Sequence, residues 1–161
     1  MRLITLPDPR LRQPATPVVF GPDGPDLARA YLQRLVVAMV DAMAQHDGIG
    51  LAAPQLGQMV RVIVVQAGVA GHGPRVCFNP RVERTEGAPV LGMEGCLSVP
   101  NTGRMVARAP RVTVAYQDAE GIAGTVDARG LYARVLQHEI DHLDGILFVD
   151  RLATSGKGAV P

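Results

Sequence analysis

The chain has 161 residues, of which 47% are hydrophobic, 19% charged and 4% aromatic, so aliphatic side chains must build the core of one expected domain, residues 1–161. The net charge of +1 provides no strong field for nucleic acid or an anionic membrane. Pro7 and nearby charges interrupt the first segment, and no segment reaches the ~18 apolar residues of a membrane span. We therefore expect a cytoplasmic protein with no DNA and no membrane partner.

The first half of the chain is predicted to contain an extended segment, one helix and two strands. Residues 1–24 are rich in proline, glycine and aspartate, which favours an extended segment over the surface. A helix is predicted to begin at Pro25 and to stop at Gly48. Its apolar face is predicted from residues at three- and four-residue spacing: Leu27, Tyr31, Leu35, Ala38 and Ala42. Strands are predicted at 60–66 and 75–79, where β-branched residues are enriched.

The second half is predicted to form strands at 111–117 and 122–127, joined by a tight turn at 118–121. A helix follows at 130–145, and it is expected to be buried because it is apolar on nearly every side. The strands occur in a run without βαβ alternation. We therefore predict an α+β fold in which antiparallel β-sheets pack around this central helix. The end of the chain, 154–161, is predicted to be a frayed tail.

The central helix carries a His-Glu-x-x-His motif. His138 and His142 are four residues apart, about 40° round the helix and one turn along it, so both imidazoles can reach one ion. Glu139 lies at the flank of that ion, where a carboxylate can take a proton from a water molecule. A single histidine in such a helix is more often a hydrogen-bonded core residue. Two imidazoles and a carboxylate are costly to bury without a function, so the motif predicts metal-assisted hydrolysis.

A catalytic site of this type needs a third protein ligand and one open position. No glutamate follows Glu139, and Phe148 stands where another known pattern has its last histidine. The other candidate donors are Asp144 and Asp150 downstream, and His46, His72 and Cys96 upstream. His46 ends the first helix and His72 lies in a glycine-rich stretch, so both are predicted to be solvated surface residues.

The two cysteines are interpreted differently from each other. A disulfide is not expected in a reducing compartment. Cys77 alternates with Val76 and Phe78 in a strand-like run and is predicted to be a core thiol. Cys96 lies in the apolar run GCLSVP, against which a central helix can pack. We therefore favour Cys96 as the third ligand, a thiolate that completes a Cys/His/His set.

A further segment, GIGLAAPQ at 48–55, combines two glycines, small apolar residues and a Pro-Gln ending. Glycine lets the backbone approach a ligand closely, and Gln55 offers an amide donor of the kind that steadies an oxyanion. Taken alone, the stretch would be an ordinary helix stop and loop.

Taken together, GIGLAAPQ, EGCLS and QHEIDH resemble, in the same order, the three signature motifs of peptide deformylases. The resemblance extends to the flanking segments 7–18 and 143–152 and so covers most of the chain. It implies hydrolysis of the N-formyl group from the initiator methionine of newly made polypeptides, with release of formate. It also implies a transient contact with the ribosome.

The resemblance further implies one divalent metal ion per chain. By resemblance the ligands fall on Cys96, His138 and His142, and the general base on Glu139. This base would take a proton from water and return it to the leaving amine. Ferrous iron is the native ion that the resemblance implies, with Zn²⁺, Ni²⁺ or Co²⁺ also accepted, and a site with one thiolate and two imidazoles is compatible with all of them.

The resemblance also implies how the substrate is held. Gln55 and the backbone N–H of Leu97 would steady the oxyanion, and the Gly50 backbone would hold the formyl group and the peptide. Helix spacing places two side chains on the same side as His138. The predicted pocket for the methionine side chain consists of Ile49, Leu131 and Val135.

The sequence departs from the family pattern at two places. Met93 precedes the Glu of EGCLS where many relatives have an acidic residue, and Gly103, followed by Arg104, stands where many have Arg. Contacts with the substrate backbone in this loop are therefore left open. The short tail carrying Lys157 also differs from the longer basic helix with which some bacterial members dock on the ribosome, so docking through that element is not expected.

Two alternatives remain open on the sequence alone. The first is a metallohydrolase of altered specificity, a peptidase or a deacylase for longer acyl groups, because the same catalytic groups serve any carbonyl that fits. The second is a non-catalytic relative that keeps the metal for structure or binding.

Overall fold

A computed structural model of the chain describes residues 1–20, 26–71 and 75–151. Its helices are α1 (Asp26–Gln45), the short α2 (Ala67–Ala70) and α3 (Gly130–Leu143). Its strands are β1 (Gly50–Ala52), β2 (Val62–Val65), β3 (Arg75–Glu86), β4 (Val90–Cys96), β5 (Val99–Arg108), β6 (Arg111–Gln117) and β7 (Ala123–Arg129). Three 3-10 turns cover Pro9–Arg12, Ala53–Leu56 and Phe148–Arg151.

The strands form two antiparallel sheets. Five of them are ordered β1-β2-β3-β6-β7, and β4 pairs with β5 in a separate two-stranded sheet. Helix α3 packs against the five-stranded sheet and carries the His-Glu-x-x-His motif. The predicted α+β class, with antiparallel sheets around a central helix, is therefore confirmed.

The core lies on both faces of the five-stranded sheet. Strand β2 contributes side chains to both halves of the core and separates them. Ile63 and Val65 pack in one cluster with α3, including Leu136, whereas Val62 and Val64 pack in the other cluster with α1. All four residues of β2 are fully buried, which accounts for its uninterrupted aliphatic sequence. Full burial of one such side chain contributes roughly 1.5–3 kcal/mol. The packing therefore fixes α3, and the motif on it, firmly against the sheet.

The first helix is found where it was predicted, and its predicted apolar face packs against the core, but larger side chains than expected lie at the centre of that face. Leu35, Met39 and Met43 are fully or almost fully buried, whereas Ala38 and Ala42 are only partly buried. The larger side chains at four-residue spacing bury more apolar area than alanine, so they define the core face. The helix ends at Gln45, before Gly48, whose N–H donates to the Met43 carbonyl at 2.8 Å.

Three strands were not predicted, namely β1, β4 and β5. In β4 and β5 most side chains are exposed on both faces, so the period-two alternation that marks a half-buried strand is missing. Strand β3 also runs to Glu86, well beyond the predicted end at Asn79. Its pairing with β6 shifts register between Phe78 and Arg81, around Pro80, which explains why proline suggested an end.

The described part of the first segment, residues 1–20, is extended as predicted, apart from the 3-10 turn at Pro9–Arg12. It is less superficial than expected, because Leu11 is fully buried. Predictions that concern residues 21–25, His72 and the tail at 154–161 lie outside the described residues. Within the described residues, no helix is long and apolar enough to cross a membrane.

Candidate active site

The three predicted metal ligands come from two elements and meet at one point. His138 and His142 lie one turn apart on the buried face of α3, and Cys96 ends β4. One ligand atom from each of the three side chains lies within 4.8 Å of the others. Cys96 Sγ is 3.2 Å from His142 Nε2. Metal bonds of about 2.3 Å to sulfur and 2.0 Å to nitrogen allow atoms this close to share one ion.

The ring of His138 is oriented by a buried carboxylate. Its Nδ1 lies 2.9 Å from Oε2 of Glu94, which accepts the hydrogen bond and leaves Nε2 as the nitrogen facing Cys96. Burial alone would lower the pKa of His138, but hydrogen bonds with Cys96 and Glu94 outweigh it and raise the pKa to about 10. These neighbours favour a positive charge at the ring. They would therefore also stabilise a metal cation bound at Nε2 in place of the proton.

His142 is held in the neutral form that a metal ligand requires. Burial, together with repulsion from His138, lowers its pKa well below the usual value. Nε2 lies against the sulfur of Cys96, while the buried Nδ1 has no hydrogen-bond partner among the described residues. A neutral imidazole beside a thiol provides a lone pair for a divalent ion.

Glu139 is buried beside the ligands and lines the same cavity. Burial raises the pKa of its carboxyl group to about 7. Its Oε2 has no hydrogen-bond partner within the described part of the chain. A buried carboxyl group with a pKa near neutrality and a free oxygen has the properties of a general base.

Gln55 connects the first motif to the second. Its Oε1 accepts a hydrogen bond from the Ala52 backbone N–H at 2.8 Å, which fixes the direction of the amide. Its Nε2 donates to Ser98 Oγ at 3.2 Å and to Cys96 Sγ at 3.6 Å. The amide donor that the sequence predicted is therefore aimed at the cluster of ligands rather than at solvent.

A cavity of about 690 Å³ opens onto Glu139 and His138. It is also lined by the other predicted site residues except His142, namely Ile49, Gly50, Gln55, Cys96, Leu97, Leu131 and Val135. Val135 is buried, whereas Leu131 and Ile49 are 55% and 39% exposed and lie towards the mouth. The apolar wall and the reactive groups therefore share one cleft, as expected of a substrate site.

The weaker ligand candidates lie elsewhere. Asp144 pairs with Arg61, and Asp150 accepts a hydrogen bond from Arg12, both on the surface. His46 is exposed at the rim of the cavity, as predicted. Cys77 is fully buried in the core between the sheet and α3, which confirms its predicted place.

The donor set fits a divalent transition metal. One sulfur and two imidazole nitrogens converge, one histidine is kept neutral by burial, and the other is oriented by a carboxylate in the way that metal-binding histidines usually are. A site with three protein ligands leaves a position open for water or substrate, which is the arrangement of catalytic rather than structural zinc sites.

The comparison with known proteins agrees with this geometry. The family model described as polypeptide deformylase matches residues 1–158. The chain belongs to the peptide deformylase family. The peptide deformylase of Rhizobium meliloti is 42% identical over 153 residues, covering 94% of this chain and 84% of that protein. The peptide deformylase of Halothermothrix orenii is 43% identical over 150 residues, covering 93% of this chain and 92% of that protein.

Solved peptide deformylase structures share the fold. The Synechococcus elongatus deformylase in complex with actinonin superposes with a TM-score of 0.85 at 41% identity, over 96% of this chain and 80% of that chain. The Thermotoga maritima deformylase gives a TM-score of 0.84 at 36% identity, over 94% of this chain and 97% of that chain. The antiparallel sheets and the motif helix of this deformylase are therefore those of its family.

The sequence did not reveal a buried network of charges behind the ligands of this deformylase. Glu94 accepts hydrogen bonds from Arg108 at 2.9 and 3.0 Å and from Arg134 at 2.7 Å. Arg108 and Arg151 also donate to Asp141 in the motif helix. Burial favours the neutral form of Glu94, but His138 and Arg108 lower its pKa to about 2. Glu94 is thus a permanent carboxylate that supports His138.

Of these network residues, Glu94 lies in the EGCLS motif, and Arg134 and Asp141 are charged residues inside a helix that was predicted to be buried. No pattern in the sequence indicated that these residues contact one another. The two departures from the family pattern lie on the exposed side of the β4–β5 hairpin. Met93 is 67% exposed and pairs with Met105, while Gly103 faces Gly95. Met93 lines the cavity, and neither residue belongs to the cluster of Cys96, His138 and His142.

Proposed function

We propose that this deformylase hydrolyses the N-formyl group with one divalent metal ion held by Cys96, His138 and His142. The chain is a hydrolase of the peptide deformylase family, which removes the N-formyl group from nascent polypeptides. The observation that supports the ligand assignment is the convergence of the three donor atoms beside the buried carboxylate of Glu139. The match over residues 1–158 supports one catalytic domain spanning 1–161.

The residues around the ligands have complementary roles in this proposal. When bound, a divalent ion supplies Lewis acidity and makes water a better nucleophile at neutral pH. Glu139 takes the proton from the attacking water and gives it to the leaving amine. The Gln55 amide and the Leu97 backbone N–H donate hydrogen bonds to the oxygen that becomes negative. The Gly50 backbone holds the formyl group and the peptide.

Limited space beside the base favours a formyl group over longer acyl groups. A Cβ atom at Gly50 would lie 2.5 Å from Glu139 Oε1 and 2.7 Å from Val135 Cγ1, so the backbone of β1 already approaches the base closely. The wider cavity begins beyond this point, where Ile49, Leu131 and Val135 are proposed to receive the methionine side chain. The narrow part thus suits the smallest acyl group, and the apolar part suits methionine.

The proposed function also includes the identity of the metal ion and the place where the enzyme acts in the cell. One thiolate and two imidazoles bind ferrous iron, zinc, nickel and cobalt, and we propose ferrous iron as the native ion. The substrates are newly made chains, so we propose that the enzyme acts in the cytoplasm and contacts the ribosome transiently.

A substrate comparison tests this function. Anaerobically purified, metal-loaded protein should release formate from formyl-Met peptides and leave acetyl-Met peptides and internal peptide bonds essentially uncut. Cys96→Ser should reduce both metal content and formate release, because a serine hydroxyl is a far weaker ligand than a thiolate. Efficient deacetylation or internal cleavage would reassign the activity, and unchanged metal content in Cys96→Ser would remove Cys96 from the ligand set.

A further inference from the structure

The proposed metal site joins two parts of the fold that share no strand pairing. Cys96 belongs to the two-stranded sheet of β4 and β5, whereas His138 and His142 belong to α3, which packs on the five-stranded sheet. Within the described residues, the two sheets are separate. Contacts other than strand pairing must therefore fix the distance between the sulfur and the two nitrogens.

We propose that Arg134 is a positioning residue that helps to fix this distance, an inference that rests on the proposed metal ligands. Arg134 lies on α3 one turn before His138, and only 14% of its side chain is exposed. Its Nη2 donates to the Val90 carbonyl at 2.7 Å, and its Nη1 donates to the Val106 carbonyl at 2.8 Å. One guanidinium group on the helix thus holds the backbones of both β4 and β5.

The hairpin has a matching recess at Gly92, in the middle of β4. A Cβ atom at this position would lie 2.6 Å from Nη2 and 2.7 Å from Cζ of Arg134. The φ angle of Gly92 is not in the left-handed region, so backbone conformation does not require glycine here. The absence of a side chain instead provides the space in which the guanidinium group lies flat against the strand.

Arg134 also acts on the histidine side of the site. Its Nη1 donates to Oε1 of Glu94 at 2.7 Å, and Oε2 of the same carboxylate lies 2.9 Å from His138 Nδ1. The guanidinium group therefore orients the carboxylate that orients the ring. A planar group with five donors can hold both strands and the carboxylate together, whereas a lysine ammonium is a compact charge at the end of a flexible chain.

The inference is tested with Arg134→Met and Arg134→Lys, compared with Arg81→Met as a surface control. Arg81 pairs with Glu83 and its side chain is 72% exposed, so Arg81→Met should leave zinc affinity, cobalt absorption and stability at the wild-type level. The readouts are zinc affinity by competition with a chelator, the thiolate-to-cobalt absorption of the Co²⁺-loaded protein, and the urea unfolding midpoint. The first two report the ligand geometry directly and do not depend on turnover.

Arg134→Met should bind zinc about 10- to 100-fold more weakly, as is usual when the support of a ligand is removed, and should change the cobalt absorption. Arg134→Lys should recover part of the affinity. A folded Arg134→Met with wild-type zinc affinity and cobalt absorption would overturn the inference. Failure of the wild-type protein to bind zinc would instead overturn the proposed function.

A second variant covers the case in which Arg134→Met does not fold. Gly92→Ala keeps every charge but displaces the guanidinium group from its recess, so it should also weaken zinc binding by about tenfold. Leu91→Ala is the control in the same strand, because the Leu91 side chain is 54% exposed. Wild-type zinc affinity in a folded Gly92→Ala would contradict the role of Arg134.

Discussion

At the scale of single residues, Glu139 combines properties that rarely occur together. It is 4% exposed, burial raises its pKa to about 7, and its Oε2 has no hydrogen-bond partner among the described residues. Such a group is costly to keep in a folded protein unless its reactivity is used. The cost is consistent with the role of Glu139 as the proposed base.

Glu139→Gln tests this role directly. Glutamine has nearly the same shape but cannot accept a proton, so the turnover number should fall by at least about 100-fold. Metal content should stay at the wild-type level, because Glu139 is not one of the three clustered ligands. Formate release and metal analysis on the same preparation provide the measurement, and a variant with normal turnover would show that another group acts as the base.

The residues of the site differ in how far the sequence could predict them. His138, Glu139 and His142 carry a local signal, because their spacing on one helix determines their relative directions. Cys96 was favoured by excluding other donors and by its place in an apolar run, without a spacing that determines where its sulfur lies. Glu94 could not be assigned a contact, because its partners are 14, 40 and 44 residues away along the chain and only the tertiary fold brings them together.

At the scale of elements, long-range hydrogen bonds from two arginines, Arg134 and Arg108, link the hairpin to α3 in place of strand pairing. Arg108 ends β5 and is 4% exposed. It donates to Glu94 in β4 and to Asp141 in α3, so it lies between two buried carboxylates. Burial disfavours its charge, but these two carboxylates outweigh this effect and raise the pKa of Arg108 above its usual value.

Arg108→Met should therefore destabilise the protein strongly. Methionine keeps much of the apolar volume but removes the cation that Glu94 and Asp141 share. Because Arg134 and Arg151 still pair with these carboxylates, the expected cost is about 3 kcal/mol, the lower end of the range for a broken buried ion pair. The free energy of unfolding in urea provides the measurement. Arg84→Met removes a surface partner of Glu86 and should change this free energy by less than about 1 kcal/mol. Equal losses in the two variants would show that the buried network contributes no special stability.

Helices and strands could be predicted where the pattern of apolar residues along the sequence is enough to determine the element. Strand β6 alternates apolar and polar residues, and helix α3 is apolar on nearly every side and is followed by Gly145, so both were placed at or close to their observed bounds. The β4–β5 hairpin was missed because it contains glycines, exposes both faces and is held by Arg134 rather than by a hydrophobic face. No pattern along the sequence records a contact of that kind.

At the scale of the whole molecule, the N-terminal segment connects the three motifs. The backbone N–H of Ile4 donates to the carbonyl of Gln55 at 2.8 Å, and that of Leu6 donates to the carbonyl of Ser98 at 2.9 Å. Further along, Ala15 donates to the carbonyl of Leu143, at the end of α3, at 2.8 Å. The segment predicted as a surface covering therefore also links the first and second motifs to the motif helix.

The crossing of this segment over the end of α3 depends on Gly145. Its φ angle is +73°, and a Cβ atom there would lie 2.8 Å from the carbonyl carbon and oxygen of Arg12. Gly145→Ala should therefore incur two costs, the left-handed backbone conformation at about 1 kcal/mol and a backbone clash at about 1–3 kcal/mol. The clash cannot be relieved by rotating a side chain, because the neighbouring atoms belong to the main chain.

Gly130→Ala provides the control at the other end of the same helix. Gly130 also has a positive φ angle, +57°, but no described atom would lie within 4 Å of its Cβ. Gly130→Ala should therefore incur only the cost of the left-handed backbone conformation, which lowers the free energy of unfolding by about 1 kcal/mol. Urea unfolding of both variants should show Gly145→Ala to be less stable than Gly130→Ala by about 1–3 kcal/mol. Equal stabilities would mean that the N-terminal segment moves aside without cost, and that the crossing does not hold the motif helix in place.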